Sequence, residues 1–260
     1  MDELIPKKDI SLDYYRHLIM ERDGYAKEAR KWEFEYDRTF GDYIVELFGI
    51  KIECIRQKKT IAYYQRAINK GGVINSDELN QYLRQEMAEY EANLQNMIKS
   101  NNEIKDSKRI SPQDTLKIKK LYHRLAKRVH PDINPLFKND PEKLEIWQRI
   151  VFAYQTNNLK ELEELEVIVD KITEGMNIPS ETLVIPDLSK KISQIEDEIS
   201  RITNTNPYLF KFLLKDTEAT KDKIDSYKEE IKSYKRYSEE LKTIIQTMLT
   251  SGDITIWQMN

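Results

Sequence analysis

The feature that most limits what this chain can become is a seam of apolar and aromatic residues spaced alternately four and three apart. It runs through Tyr36, Phe40, Tyr43, Leu47, Ile50, Cys54, Gln57, Ile61, Tyr64 and Ile68, and only Gln57 is plainly polar. On an α-helix this spacing lines one narrow side, so the segment calls for a partner helix, not a sheet. The seam stops at Lys70-Gly71-Gly72, where glycine can take the left-handed backbone that ends a helix. Asn75 or Ser76 can cap a second helix, with Leu79, Leu83, Met87, Tyr90, Leu94 and Met97 as its stripe. Helices joined by so short a turn pack antiparallel. Residues 1–105 are therefore expected to hold a helical hairpin. A shorter stretch precedes it, capped by Ser11, with Leu12, Tyr15, Leu18 and Ile19 on its apolar side.

The same spacing returns near the end of the chain. Leu188, Ile192, Ile195, Ile199 and Ile202 form one run, and Ile224, Tyr227, Ile231, Tyr234, Ser238, Leu241, Ile245 and Met248 form another. They predict a second antiparallel coiled-coil hairpin within residues 174–260, after a linker marked by Gly175, Pro179 and Pro186. Two short β-prone runs flank it, Thr182-Leu183-Val184-Ile185 and Ile254-Thr255-Ile256-Trp257. The hairpin would bring them together as a small antiparallel pair.

Composition agrees with an all-α fold. Charged residues make up 33% of the 260 and hydrophobic ones 39%, with only seven glycines and eight prolines, a balance suited to long amphipathic helices. The formal net charge of -3 supplies no global attraction to nucleic acid or anionic membrane, so any basic patch is local. One cysteine, Cys54, excludes an intramolecular disulfide and a zinc site built on several thiolates. The start, MDELIPKKDI, lacks the pattern of a secretory signal, and no run approaches transmembrane length. A cytoplasmic protein without a cofactor is expected.

Between the hairpins, residues 106–173 form a third unit. Ser111-Pro112-Gln113-Asp114 is a strong helix start, with a serine cap, a proline whose missing N–H is harmless, and an acid three residues on. This helix should run to about His130, where Pro131 ends it. A loop over residues 132–139 follows. Asp140-Pro141-Glu142 then opens another helix, with Leu144, Trp147, Ile150, Val151 and Tyr154 on one face. Asn158 can cap a continuation through Leu162, Leu165 and Ile168.

The helix before His130 has a divided surface. Ile118, Leu121, Tyr122, Leu125 and Val129 are its apolar side, and Lys117, Lys119, Lys120, Arg124, Lys127 and Arg128 cover the rest, with no acid among residues 117–130. Such a face is either simply solvated or attracts an acidic partner surface.

His130-Pro131-Asp132 with these flanks resembles the J domain of DnaJ-type co-chaperones, whose hallmark is His-Pro-Asp in the loop after a basic second helix. Tyr122, Arg124, Leu125, Ala126 and Arg128 stand where the family has its tyrosine, basic residue, Leu-Ala pair and second basic residue. Asn134 matches the asparagine common two places after the motif, and Trp147, Ile150, Ala153 and Tyr154 fit the pattern of the following helix. The match covers about residues 111–154. The family's short first helix, with its aromatic pair and Leu-Gly ending, is not visible before Ser111, and residues 90–104 are expected to take its packing role. Ile133 replaces the basic residue often found after the aspartate, and the loop is a few residues longer than usual.

The resemblance implies a partner. J domains bind the nucleotide-binding domain of a DnaK-type chaperone and stimulate its ATP hydrolysis. By analogy Asp132 would pair with a basic group of the chaperone, while His130 and Pro131 hold the loop's shape. Lys119, Lys120, Arg124, Lys127 and Arg128 would meet an acidic groove, with Asn134 beside them. The ATP-hydrolysing residues belong to the partner, so this chain is not expected to be an enzyme.

Other readings compete. A metal site at His130 and Asp132 lacks a cluster of further ligands at characteristic spacing. A hydrolase lacks an identifiable nucleophile or glycine-rich phosphate loop. A nucleic-acid module could lay the basic helix on phosphates, but the chain is net acidic. A coiled-coil scaffold with an inactive J-like unit also fits. The Gly/Phe-rich linker and cysteine-rich module of larger DnaJ proteins are absent, leaving the helical arms to supply specificity for an unknown client. Tyr208, Leu209, Phe210, Phe212, Leu213 and Leu214 form one candidate patch, or plug their own hairpin. The tyrosine-rich seam is core or a homodimer seam, and Cys54 on it reads as a buried small hydrophobe.

Overall fold

The four-three seam lies on one helix, α1 (Lys7–Asn69), 63 residues long. The structure is a computed structural model that describes residues 7–71, 73–107, 109–174, 187–250 and 255–257. Among the described residues it is all-α apart from one pair of three-residue strands. The chain divides into two compact units: residues 1–32 with 108–209, and residues 33–107 with 210–260. These boundaries differ from three consecutive segments at 1–105, 106–173 and 174–260, because α1 contributes its first part to one unit and the remainder to the other. Helical backbone also passes through Ser11 without a break, so no helix starts there as expected.

In the second unit α1 ends at Asn69, with Gly71 at φ +114°, a conformation that costs glycine no Cβ clash. Strand β1 (Val73–Asn75) and helix α2 (Ser76–Asp106) follow. Asn75 is the cap, accepting from the N–H groups of Asp77 and Glu78 at 2.9 and 3.3 Å. The hairpin is antiparallel as its short turn requires. Lys59 pairs with Glu86 at 2.5 Å, Arg56 with Glu91, and Asn101 donates to Asp42 at 2.7 Å, one number rising as the other falls. Gly41 permits that last approach, since a Cβ there would collide with Asn101 Oδ1.

The C-terminal helices do not form the expected hairpin with each other. Helix α7 (Leu188–Thr203) belongs to the first unit, whereas α8 (Phe210–Lys215) and α9 (Thr217–Thr250) belong to the second. Helix α9 lies along α1 in the same direction: Tyr36 meets Tyr227, Lys51 meets Glu230, Cys54 meets Tyr234 and Gln57 meets Ser238. A four-three spacing shows that a helix has a seam but not which seam it fits, and here the polar position of one seam meets the polar position of the other.

This parallel arrangement also corrects the strand pairing. Because α1 and α9 point the same way, each delivers its following strand to the same end. Strand β2 (Thr255–Trp257) pairs with β1 in parallel, Val73 opposite Thr255 and Asn75 opposite Trp257. Residues 182–185, the partner expected from the sequence, lie outside the described residues. Ile74 of β1 is buried with Tyr64 and Leu79, closing that end of the unit.

The first unit is built from the start of α1, then α3 (Pro112–Val129), the single-turn α4 (Pro135–Lys138), α5 (Pro141–Gln155), α6 (Leu159–Thr173) and α7. The starts of α3, α5 and α6 follow the signals in their sequence. Ser111 accepts from the N–H of Asp114, Asp140 from Glu142 and Lys143, and Asn158 from Glu161. The core joins Ile118, Leu121, Tyr122, Leu125 and Val129 of α3 to Ile150, Ala153 and Tyr154 of α5 and to Leu162, Leu165 and Val169 of α6. Tyr122 stacks on Tyr154 with centroids 3.8 Å apart. Each large apolar side chain buried here contributes about 1.5–3 kcal/mol relative to exposure, so this face, not helix propensity, holds the unit together.

The packing role expected of residues 90–104 is filled by the start of α1. Met20 packs against the α3–α5–α6 core, Tyr122 donates its hydroxyl to Asp23 at 2.6 Å, and Lys27 donates to the Tyr154 carbonyl at 2.8 Å. Residues 90–104 belong to α2 and therefore to the other unit. Their stripe is committed along α1, where Leu94 lies against Gly49.

Candidate functional site

Proline disfavours helical backbone in the residue before it, and His130 accordingly leaves the helix at φ -63°, ψ 125° while its N–H still reaches Ala126 O at 3.0 Å. The chain then folds back on His130. Its carbonyl accepts from the N–H groups of Ile133 and Asn134 at 2.9 and 2.7 Å, and its Nδ1 accepts from the N–H of Asp132 at 3.1 Å. The imidazole is buried and edge-on to Trp147, centroids 4.5 Å apart. Burial lowers its pKa, with Asp132 and Asp23 opposing and Arg22 assisting.

An Nδ1 that accepts a hydrogen bond belongs to a neutral ring. The Asp132 carboxylate, 3.9 Å from that nitrogen, is therefore a close neighbour of a neutral imidazole and not half of an ion pair. Its side chain is 39% exposed, whereas that of His130 is 5% exposed.

Asn134, placed by the sequence among the contact residues, is instead buried. Its amide donates to Arg128 O at 2.9 Å and its carbonyl caps α4 by accepting from Leu136 at 3.1 Å. The expected loop over residues 132–139 is thus shortened by a helical turn whose start one side chain ties back to the last turn of α3. Within the tripeptide, Pro131 and Asp132 remain partly exposed.

The five cations expected around the loop separate into two groups. Lys119, Lys120 and Lys127 are exposed, with no ion-pair partner among the described residues. Arg124 pairs with Glu166 at 2.5 Å, and Arg128 pairs with Asp170 and also reaches the Thr173 hydroxyl. The sequence contained a signal for these pairs: cations four apart at 124 and 128, acids four apart at 166 and 170. His123 lies between Lys119 and Lys127 along the helix, half-buried, with Nε2 unpartnered. Burial lowers its pKa, and the two lysines lower it further.

Sequence reasoning also missed the neighbours supplied by α1 and α7. Ile133 is buried with Tyr15, Leu18, Ile19 and Ile195. No acid–histidine–cysteine group among the described residues could hold a metal ion. The apolar patch is mostly packed: Tyr208 lies edge-on to Tyr25 and Phe210 stacks on Tyr36 at 4.0 Å, leaving Phe212 exposed. No family model, curated protein or solved structure matches the chain.

Proposed function

We propose that this chain is a co-chaperone that docks on a DnaK-type chaperone through the His130-Pro131-Asp132 loop and stimulates its ATP hydrolysis. The observation that carries the reading is the division of labour within the loop. His130 and Asn134 are buried and bonded, while the Asp132 carboxylate stands partly exposed at the end of a helix bearing three exposed lysines that have no ion-pair partner among the described residues. A carboxylate carried on a bonded backbone beside exposed cations suits recognition of a surface with one cation and an acidic rim. Lys119, Lys120 and Lys127 would speed encounter in a salt-dependent way.

In this reading the chain performs no covalent chemistry. It acts by binding one conformation of the chaperone more tightly than another, which is what shifts an equilibrium. The helical arms then supply the contact with a client, and the chain works in the cytoplasm beside its partner. No helix among the described residues is long and apolar enough to cross a membrane.

A second reading, a coiled-coil scaffold with an inactive J-like unit, is favoured by the pairing of Arg124 and Arg128 with α6, which removes two cations from the docking face. The same pairing weakens a nucleic-acid reading. Steady-state ATPase assays with a purified bacterial DnaK-type chaperone separate these. Stimulation by the wild type and its loss in Asp132→Asn support the co-chaperone. No stimulation by either, with the chaperone responsive to another J domain, supports the scaffold.

A further inference from the structure

The residue after the tripeptide is apolar. Ile133 is 3% exposed and sits in one cluster with Tyr15, Leu18 and Ile19 of α1 and Ile195 of α7. Leu188, Ile192 and Ile199, the rest of the α7 stripe, pack around the cluster. The loop that carries Asp132 is thereby tied, one residue later, to a helix distant in sequence. Asp132 is close enough to α1 that its charge raises the pKa values of Tyr15 and Arg22.

Helix α7 itself is lightly held. Ile195 is its one buried side chain, and its first residue follows Asp187, which has φ +53° and makes no side-chain cap. Two polar links supplement the stripe: the Tyr14 hydroxyl donates to Glu196 at 2.7 Å, and Arg22 donates to Glu198 at 3.5 Å. A helix with one buried anchor and an uncapped start belongs among the segments that open before the rest of a protein does.

We propose that α7 is a releasable strap on the His-Pro-Asp loop: docked, it clamps Ile133 against α1 and limits how far the loop's backbone can adjust to a partner; undocked, it frees the loop. This explains why the position after Asp132 is apolar in this chain. A basic residue there would have to be buried among Tyr15, Leu18, Ile19 and Ile195. The strap's effect on a chaperone rests on the co-chaperone reading, whereas its effect on the loop does not. A partner that binds only the released loop would bind more weakly by the fraction of time the strap is open.

The test uses the full chain with Ile195→Asp, and Gln194→Asp on the exposed side of the same helix as the charge control. Hydrogen exchange of the Ile133 and Asn134 amides, both bonded to the His130 carbonyl, should accelerate at least tenfold in Ile195→Asp only. The Leu125 and Ile150 amides should keep their protection. In assays with a purified bacterial DnaK-type chaperone, the concentration of Ile195→Asp giving half-maximal ATPase stimulation should fall at least threefold. Stimulation should vanish when Asp132→Asn is added.

Unchanged exchange at Ile133 and Asn134 overturns the strap. So does faster exchange with no gain in stimulation when the wild type is active. If no form stimulates, the co-chaperone reading falls and exchange alone decides whether α7 holds the loop. Should Ile195→Asp also expose Leu125, the pair Glu196→Gln and Glu198→Gln loosens α7 without touching its apolar stripe. Loop exchange should then rise at least threefold, and its failure to do so overturns the proposal.

Discussion

The backbone N–H of Asp132 donates to Nδ1 of His130 at 3.1 Å, so the histidine orients the residue whose carboxylate it leaves exposed. This one contact assigns different work to two residues that the tripeptide presents as equals. The buried ring, edge-on to Trp147, fixes the backbone, and the aspartate side chain projects from it.

Stability and stimulation should therefore separate at the loop. Asp132→Asn should change unfolding free energy by less than about 0.5 kcal/mol, as expected of a partly exposed side chain, while abolishing the proposed stimulation of a DnaK-type chaperone. His130→Ala and Asn134→Ala each remove buried partners and should cost about 1–3 kcal/mol. Urea unfolding beside ATPase assays measures both. Equal destabilisation by Asp132→Asn would remove the distinction.

Acid should weaken the first unit before the carboxylates titrate. His130 and His123 have pKa values lowered by burial. As pH falls below their ordinary value of 6.5, the unfolded chain takes up protons that the folded chain refuses, so stability falls with pH from 6.5 downward. Between pH 5 and 6.5, unfolding free energy should drop in the wild type and drop less in His123→Leu, which removes the unpartnered Nε2. A flat wild-type profile over this window would contradict the burial argument.

Much of this architecture could be read from residues alone, and the exceptions share one cause. Ser111, Asp140 and Asn158 cap the predicted helices because a cap needs only its own next three residues. Trp147, Ile150, Ala153 and Tyr154 face α3 because a short connection limits where α5 can go. The partners of α7 and α9 were not legible: a seam states a spacing, and several seams here share it. The choice falls to long-range matching, as where Gln57 meets Ser238 or Ile195 meets Tyr15, Leu18 and Ile19. The burial of Ile133 was hidden for the same reason, since its neighbours lie more than fifty residues away in either direction.

Alkali should first strengthen and then weaken the fold. Burial lowers the Lys27 pKa to about 8, where its ammonium lies over the Tyr154 ring at 3.8 Å and donates to the Tyr154 carbonyl. Above pH 8 the folded chain releases this proton while the unfolded chain keeps it until near 10.5, so stability rises across that window. Tyr15 and Tyr154, pushed up to about 12 by burial, act in the opposite sense once unfolded tyrosines ionise near 10. Cys54, also raised by burial from 9.0, adds to the decline. Urea unfolding from pH 7 to 11 should show a rise above 8 that Lys27→Met lacks and a fall above 10 that it retains. A wild-type curve declining from pH 8 would show that Lys27 is not desolvated as described.

The polar position shared by the α1 and α9 seams should set their register. Gln57 Nε2 donates to the Ser238 hydroxyl at 3.0 Å, and that hydroxyl donates to Gln57 Oε1 at 3.2 Å, both residues buried. A buried polar pair lowers stability relative to a dry seam but penalises every slide that separates its members. Ser238→Ala should cost about 1–3 kcal/mol by leaving Gln57 Oε1 without its donor, while the amide nitrogen keeps Glu53 at 3.2 Å. Gln57→Leu combined with Ser238→Ala should recover most of that loss, a coupling of about 1 kcal/mol or more in a double-mutant cycle. With the pair gone, a slide of α9 by seven residues is penalised less. It would carry Thr255 away from Val73, so exchange of the β1 amides should accelerate in the double variant even where its stability is restored. Additive single effects with unchanged strand protection would mean that apolar packing alone fixes the register.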